Sequence, residues 1–91
     1  MTVEVAIPVT LRRYGGNTSR LKAVAGPLPA VLVEICRHHP ALGERVLTTD
    51  GQLMAHLAVC LRGELVQRDA IPDAMVQDGD LLEIMFVASG G

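Results

Sequence analysis

The sequence predicts an α+β domain, one main helix packed on a mixed sheet of four to five strands. Three observations carry that expectation. Apolar residues recur at every second position in 3–11 and 57–61, and an apolar run over 81–87 reads as a last strand. Residues 28–36 instead repeat their apolar positions at helical spacing. Glycine, proline and aspartate clusters separate these stretches and supply the turns.

In chain order, Val3, Val5, Ile7, Val9 and Leu11 alternate with residues such as Thr2, Glu4 and Thr10, which predicts a half-buried strand over 3–11. Pro8 has no amide donor, so it marks an edge position, a bulge or an outward-pointing N–H. Arg12-Arg13-Tyr14-Gly15-Gly16-Asn17 is turn chemistry, with two glycines free to take positive φ. Residues 18–25 then pair back as a second strand. Gly26-Pro27-Leu28-Pro29 breaks that strand and opens a helix, because proline suits a first helical turn. Leu28, Val31, Leu32, Ile35 and Cys36 form one apolar stripe, with Glu34 and Arg37 off it. His39 precedes Pro40 and is pushed out of helical geometry, so the helix ends there. Residues 41–47 read as a short second helix or a loop, and 48–51 as a turn. Leu57, Val59 and Leu61 bury one face of a third strand. Gly63 and Glu64 turn into a short run at Leu65-Val66, residues 69–77 are irregular, and Asp78-Gly79-Asp80 launches the last strand. The first and last strands are expected side by side in the middle of the sheet.

Ninety-one residues make one modest core. Tyr14 and Phe86 are the only aromatic residues, so that core must be aliphatic. A net charge of −2 with scattered arginines and a single lysine, Lys22, argues against nucleic acid. No run approaches the roughly 20 apolar residues of a membrane helix, and the chain opens on a strand pattern rather than a secretory leader. No membrane role and a cytoplasmic location are expected. Cys36 and Cys60 do not make a disulfide framework.

Residues 1–87 are read as the folded domain and 88–91 as a flexible tail, Ala88-Ser89-Gly90-Gly91. Two terminal glycines leave an unhindered carboxylate on a slim stem, able to enter a narrow active site on another protein. Glycine and serine are also common in frayed ends, which is the plain alternative.

In order along the chain, these features resemble a family. They are the opening strand with Ile7-Pro8 and Leu11-Arg12 before a glycine turn, and the single apolar helix. Arg62-Gly63-Glu64, the Asp78-Gly79-Asp80 turn, the apolar last strand and Gly90-Gly91 complete them. The chain resembles the ubiquitin-like sulfur carriers of MoaD/ThiS type, which have the β-grasp fold. Its opening looks most like the actinobacterial carrier of cysteine biosynthesis. It departs from the pattern at Phe86-Val87, where a proline is common, at Gly26-Pro27, where a threonine or serine cap is usual, and at Ala58, where an asparagine is frequent.

The resemblance implies that an adenylyltransferase of the ubiquitin-activating type uses ATP to adenylate Gly91. A sulfur donor then converts Gly91 to a thiocarboxylate, and an acceptor enzyme uses that sulfur for cysteine, molybdopterin, thiamine or a specialised metabolite. Gly90, Ser89 and Ala88 would keep the tail slim, and Val87 and Phe86 would contact partners. The chain would be a protein co-substrate rather than an enzyme, with no metal or cofactor of its own. The same features leave open a protein modifier conjugated through Gly91 and a ubiquitin-like interaction module. A cysteine enzyme finds no Cys-His pair by spacing.

Other chemistry reads more simply as structure. Cys36 belongs to the helix stripe, and Cys60 faces away from Leu57, Val59 and Leu61. Adjacent His38 and His39 point about 100° apart on a helix, and with His56 no ligand spacing is completed. Arg12-Arg13 reads as a solvated turn rather than an anion site, and Asp78 and Asp80 as turn residues rather than a Mg²⁺ site.

Overall fold

A computed structural model describes residues 1–87 of the 91. The strands are β1 (Thr2–Ala6), β2 (Arg20–Val24), β3 (Gly26–Pro27), β4 (Leu57–Leu61), β5 (Glu64–Leu65), β6 (Met75–Val76) and β7 (Leu81–Phe86). The helices are α1 (Leu28–His38) and α2 (Pro40–Val46), with 3-10 turns at Val9–Tyr14 and Arg68–Asp73. The main sheet runs β2-β1-β7-β4-β5. β1 and β7 are parallel, and β1–β2, β4–β7 and β4–β5 are antiparallel. This is the expected mixed five-stranded sheet with one main helix packed on it, the β-grasp architecture.

Register lines up the helix-facing residues. Leu21 sits opposite Val5, Val5 opposite Leu82, and Leu82 opposite Leu61. Leu28, Val31, Leu32 and Ile35 of α1 close over the sheet, and all four are buried. Cys36, on the same stripe, is only partly covered. Among the described residues the core is wholly aliphatic, with no buried polar or charged side chain. Each such side chain contributes roughly 1.5–3 kcal/mol on burial.

The first strand is shorter than the alternation predicts. It ends at Ala6; Pro8 starts a 3-10 turn in which the Leu11 amide donates to the Pro8 carbonyl at 2.9 Å. Ile7 and Leu11 are buried as expected, whereas Val9 is 72% exposed. An alternating pattern and a tight turn both return Leu11 to the core, so periodicity alone did not separate them. Positive φ falls on Gly16 (77°) and Asn17 (60°), while Gly15 lies at −120°. Residues 40–46 are helical, which resolves the helix-or-loop alternative. Within the stretch read as irregular, Met75–Val76 pairs with Gly26–Pro27, a ladder too short to leave a period.

α2 approaches α1 closely because Gly43 carries no side chain. A Cβ there would stand 2.9 Å from Cys36 Cβ and 3.2 Å from the Cys36 carbonyl oxygen. Gly43→Ala is expected to destabilise the fold by about 1–3 kcal/mol through this clash, despite alanine's better helix propensity. Leu82→Ala, at the centre of the sheet, is expected to cost about 2–5 kcal/mol. Urea unfolding midpoints measure both.

Candidate functional site

The candidate site is the end of β7 and the surface around it. β7 pairs with β4 from Leu61↔Leu82 to Leu57↔Phe86. Its pairing with β1 stops at Ala6↔Glu83, because β1 turns away before Pro8. Residues 84–86 therefore have a ladder partner on the β4 side alone. Beyond the ladder, the Val87 amide donates to the His56 carbonyl at 2.9 Å. The His56 ring stacks on Phe86, with centroids 5.9 Å apart and planes inclined by 24°.

Phe86 and Val87 are 46% and 47% exposed, and Leu65 is 56% exposed. Ala58 and Cys60 of β4 and Met85 of β7 lie on the sheet face away from α1, each partly covered. Across that face the register runs Ala6, Glu83, Cys60, Leu65. The Cys60 thiol lies 3.7 Å from the Met85 sulfur. The end of β7 thus carries exposed Phe86 and Val87, and Val87 shares a groove with Ala58, Leu65 and Val66, apolar surface suited to docking against another protein.

The structure brings Phe86 and Val87 together at the end of β7. Ala88, Ser89, Gly90 and Gly91 lie outside the described residues. Two residues at this surface carried no functional signal in the sequence beyond their type. His56, weighed there only as a metal ligand, tethers Val87 and stacks on Phe86. Arg68 donates to the carbonyls of Leu53 (2.6 Å, through Nη1), Met54 and Leu57 (both 3.1 Å, through Nη2), pinning the segment that enters β4. A lone arginine in an irregular stretch gives no periodic or motif signal, so only the fold reveals its partners.

The remaining candidates have structural partners. Arg12 Nε donates to the Ile7 carbonyl at 2.9 Å, and Arg13 donates to the Tyr14 hydroxyl at 2.7 Å. The Arg45 guanidinium covers the Tyr14 ring at 3.7 Å. Arg62, at φ 52°, and Gly63, at φ 81°, form the two-residue turn between β4 and β5, and Arg62 pairs with Asp80. Asp80 also accepts from the Gln77 amide at 2.7 Å, and Asp78 from the Thr2 amide at 3.0 Å. Among the described residues no group of three or more His, Cys, Asp or Glu gathers in a way that could hold a metal. No helix there is long and apolar enough to cross a membrane.

Burial pushes the Cys36 thiol up to about 11. The raised value means the folded chain holds that proton more tightly than the unfolded chain, so Cys36 favours folding below pH 9 and that contribution is lost as pH rises from 9 through 11. At pH 8 iodoacetamide is expected to label Cys36 about 100-fold more slowly in the folded chain than in urea, because less thiolate is present. Peptide mass mapping of the labelled cysteines follows it.

No protein-family model and no curated protein matches the chain. Solved structures do. A chain of the BexX/CysO complex of Amycolatopsis orientalis is 27% identical with a TM-score of 0.82, over 98% of this chain and 99% of that one. SAMP1 of Haloferax volcanii is 26% identical with a TM-score of 0.81 over 100% of both chains. CysO of Mycobacterium tuberculosis, at 24% identity and a TM-score of 0.82 over 94% of this chain and 99% of that one, shares the fold. Over its whole length, then, the chain is similar to the ubiquitin-like carriers of MoaD/ThiS type, actinobacterial CysO among them.

Proposed function

We propose that the chain is a sulfur carrier whose working group is the Gly91 carboxylate. The observation that carries this reading is the setting of β7. A strand held between β1 and β4 in the middle of a sheet ends at exposed Phe86 and Val87, and Ala88-Ser89-Gly90-Gly91 follows in the sequence. A rigid body with exposed apolar groups at the end of its last strand is what a carrier needs to be gripped while its terminus enters a partner's active site.

In this reading an adenylyltransferase docks on this apolar surface and takes in residues 88–91. The Gly91 carboxylate attacks the α-phosphate of ATP, forming an acyl-adenylate and releasing pyrophosphate. Sulfide displaces AMP and leaves the thiocarboxylate; a persulfide donor displaces AMP to give an acyl disulfide, which a thiol then cleaves to the thiocarboxylate and a disulfide. The thiocarboxylate sulfur is nucleophilic at neutral pH and attacks an activated metabolite held by an acceptor enzyme. Gly90, Ser89 and Ala88 keep the stem slim, and Phe86 and Val87 contribute to partner choice. The chain is a co-substrate working in the cytoplasm; ATP and catalysis belong to its partners. The similar chain from Amycolatopsis orientalis comes from a complex with BexX, which supports a carrier that works through protein partners.

A second reading, conjugation to other proteins through Gly91, is favoured by the likeness to a structure described as small archaeal modifier protein 1. Intact mass of the protein from its own cells separates the two. Sulfur carriage expects one terminal oxygen exchanged for sulfur, a terminus that iodoacetamide alkylates to a thioester, and loss of both after deletion of Gly91. Conjugation expects Gly91 joined to lysines of other proteins. An unmodified terminus under sulfur limitation, with no adenylation by any partner, overturns both.

A further inference from the structure

In sequence, Arg12-Arg13 reads as a solvated turn; in the fold the pair lines an open pocket of about 430 Å³ together with Val9, Thr10 and Asn17. Among the described residues no acidic side chain lines it. Each guanidinium makes one hydrogen bond to a neighbour, and neither goes to a carboxylate. Arg12 Nε donates to the Ile7 carbonyl and Arg13 Nη2 to the Tyr14 hydroxyl. Arg20, Arg45 and Arg62 pair with Glu4, Glu44 and Asp80, whereas among the described residues no carboxylate pairs with Arg12 or Arg13. Two adjacent cations are thus held in place with their charges uncompensated. The main chain beneath them is fixed as well. The Gly15 and Asn17 amides both donate to the Arg12 carbonyl, at 2.9 and 2.8 Å. Asn17 takes φ 60°, a left-handed position that asparagine tolerates.

We propose that this pocket is a phosphate site, taking inorganic phosphate or the phosphoryl group of a small phosphomonoester. Two guanidiniums match the charge of a dianion, and their forked N–H groups match its oxygens. Thr10 and Asn17 add a hydroxyl and an amide, neutral donors for the oxygens that remain. A single carboxylate would compensate only one of the two cations. The pocket has room beyond the phosphate itself, and Val9, exposed to solvent, offers an apolar wall to the body of a phosphomonoester. Because β1 and β7 run parallel, the turn after β1 lies at the end of the sheet where exposed Phe86 stands. Occupancy therefore switches the charge of this turn from cationic to neutral at that end of the molecule. Nothing in the site involves Gly91, so it is independent of sulfur carriage.

The test follows backbone amide and arginine Nε–H resonances of the full chain during titration with inorganic phosphate, with ionic strength held constant by sodium chloride. Saturable shifts are expected at Thr10, Arg12, Arg13 and Asn17, with a dissociation constant of about 1 mM for a pocket open to water. R13Q is expected to weaken binding about 10-fold, the loss of one charge-assisted hydrogen bond. Asn17→Gly keeps the backbone position, because glycine takes positive φ freely, and is expected to weaken binding about 3-fold. It decides the matter if R13Q loosens the turn. Glycerol phosphate that binds more tightly than inorganic phosphate assigns the pocket to a phosphomonoester; equal or weaker binding assigns it to the free ion, and both support a phosphate site. Shifts that acetate reproduces at the same concentration overturn the proposal. So does an absence of saturable shifts, and so does phosphate binding that R13Q leaves unchanged in a folded chain.

Discussion

The parallel pairing of the first and last strands is the constraint on which the rest of this structure depends. Parallel neighbours cannot be joined by a tight turn, so the chain between them must cross over, and α1 lies on that crossover. Val5 and Leu82 meet in register with Leu61 on the far side, which points a continuous row of aliphatic side chains at α1. A slip of one residue would turn Leu82 and Ile84 to the open face and present Glu83 to the core. The same pairing holds β7 between two neighbours, so the chain's last strand is among its best anchored.

Pro8 shapes the other half of the site. Without an amide donor it ends β1 one turn earlier than the alternation of Val9 and Leu11 implies. The edge of β7 beside residues 84–86 is thereby left without a β1 partner, next to exposed Phe86 and Val87. Rigidity at Leu82 and openness at Phe86 thus occur within four residues of one strand. The carrier role proposed above calls for both, a body stiff where it is gripped and open beside it.

The polar features around the end of β7 are small in number and local in action. His56 holds Val87 through a main-chain bond and Phe86 through ring stacking; Arg68 fixes the segment that leads into β4. Neither role follows from residue type. Each depends on a partner distant in sequence, thirty residues away for His56 and Phe86.

Periodicity by itself determined the helix at 28–38 and the buried face of Leu57, Val59 and Leu61, because burial on one face leaves a repeat of 3.6 or 2 in the residues, while an apolar run marked the last strand and the scarcity of aromatic residues the aliphatic core. Turn chemistry marked Arg62-Gly63 and Asp78-Gly79-Asp80, where φ or side-chain acceptors restrict the choice of residue. Tertiary structure alone decided where β1 ends, that Met75–Val76 pairs with Gly26–Pro27, that His56 meets Phe86 and Val87, and that Val87, Leu65 and Arg68 line one groove. Two-residue ladders and loop-borne side chains are too short to leave a period. Their partners are chosen by the register of the central strands, which exists only once the sheet has closed.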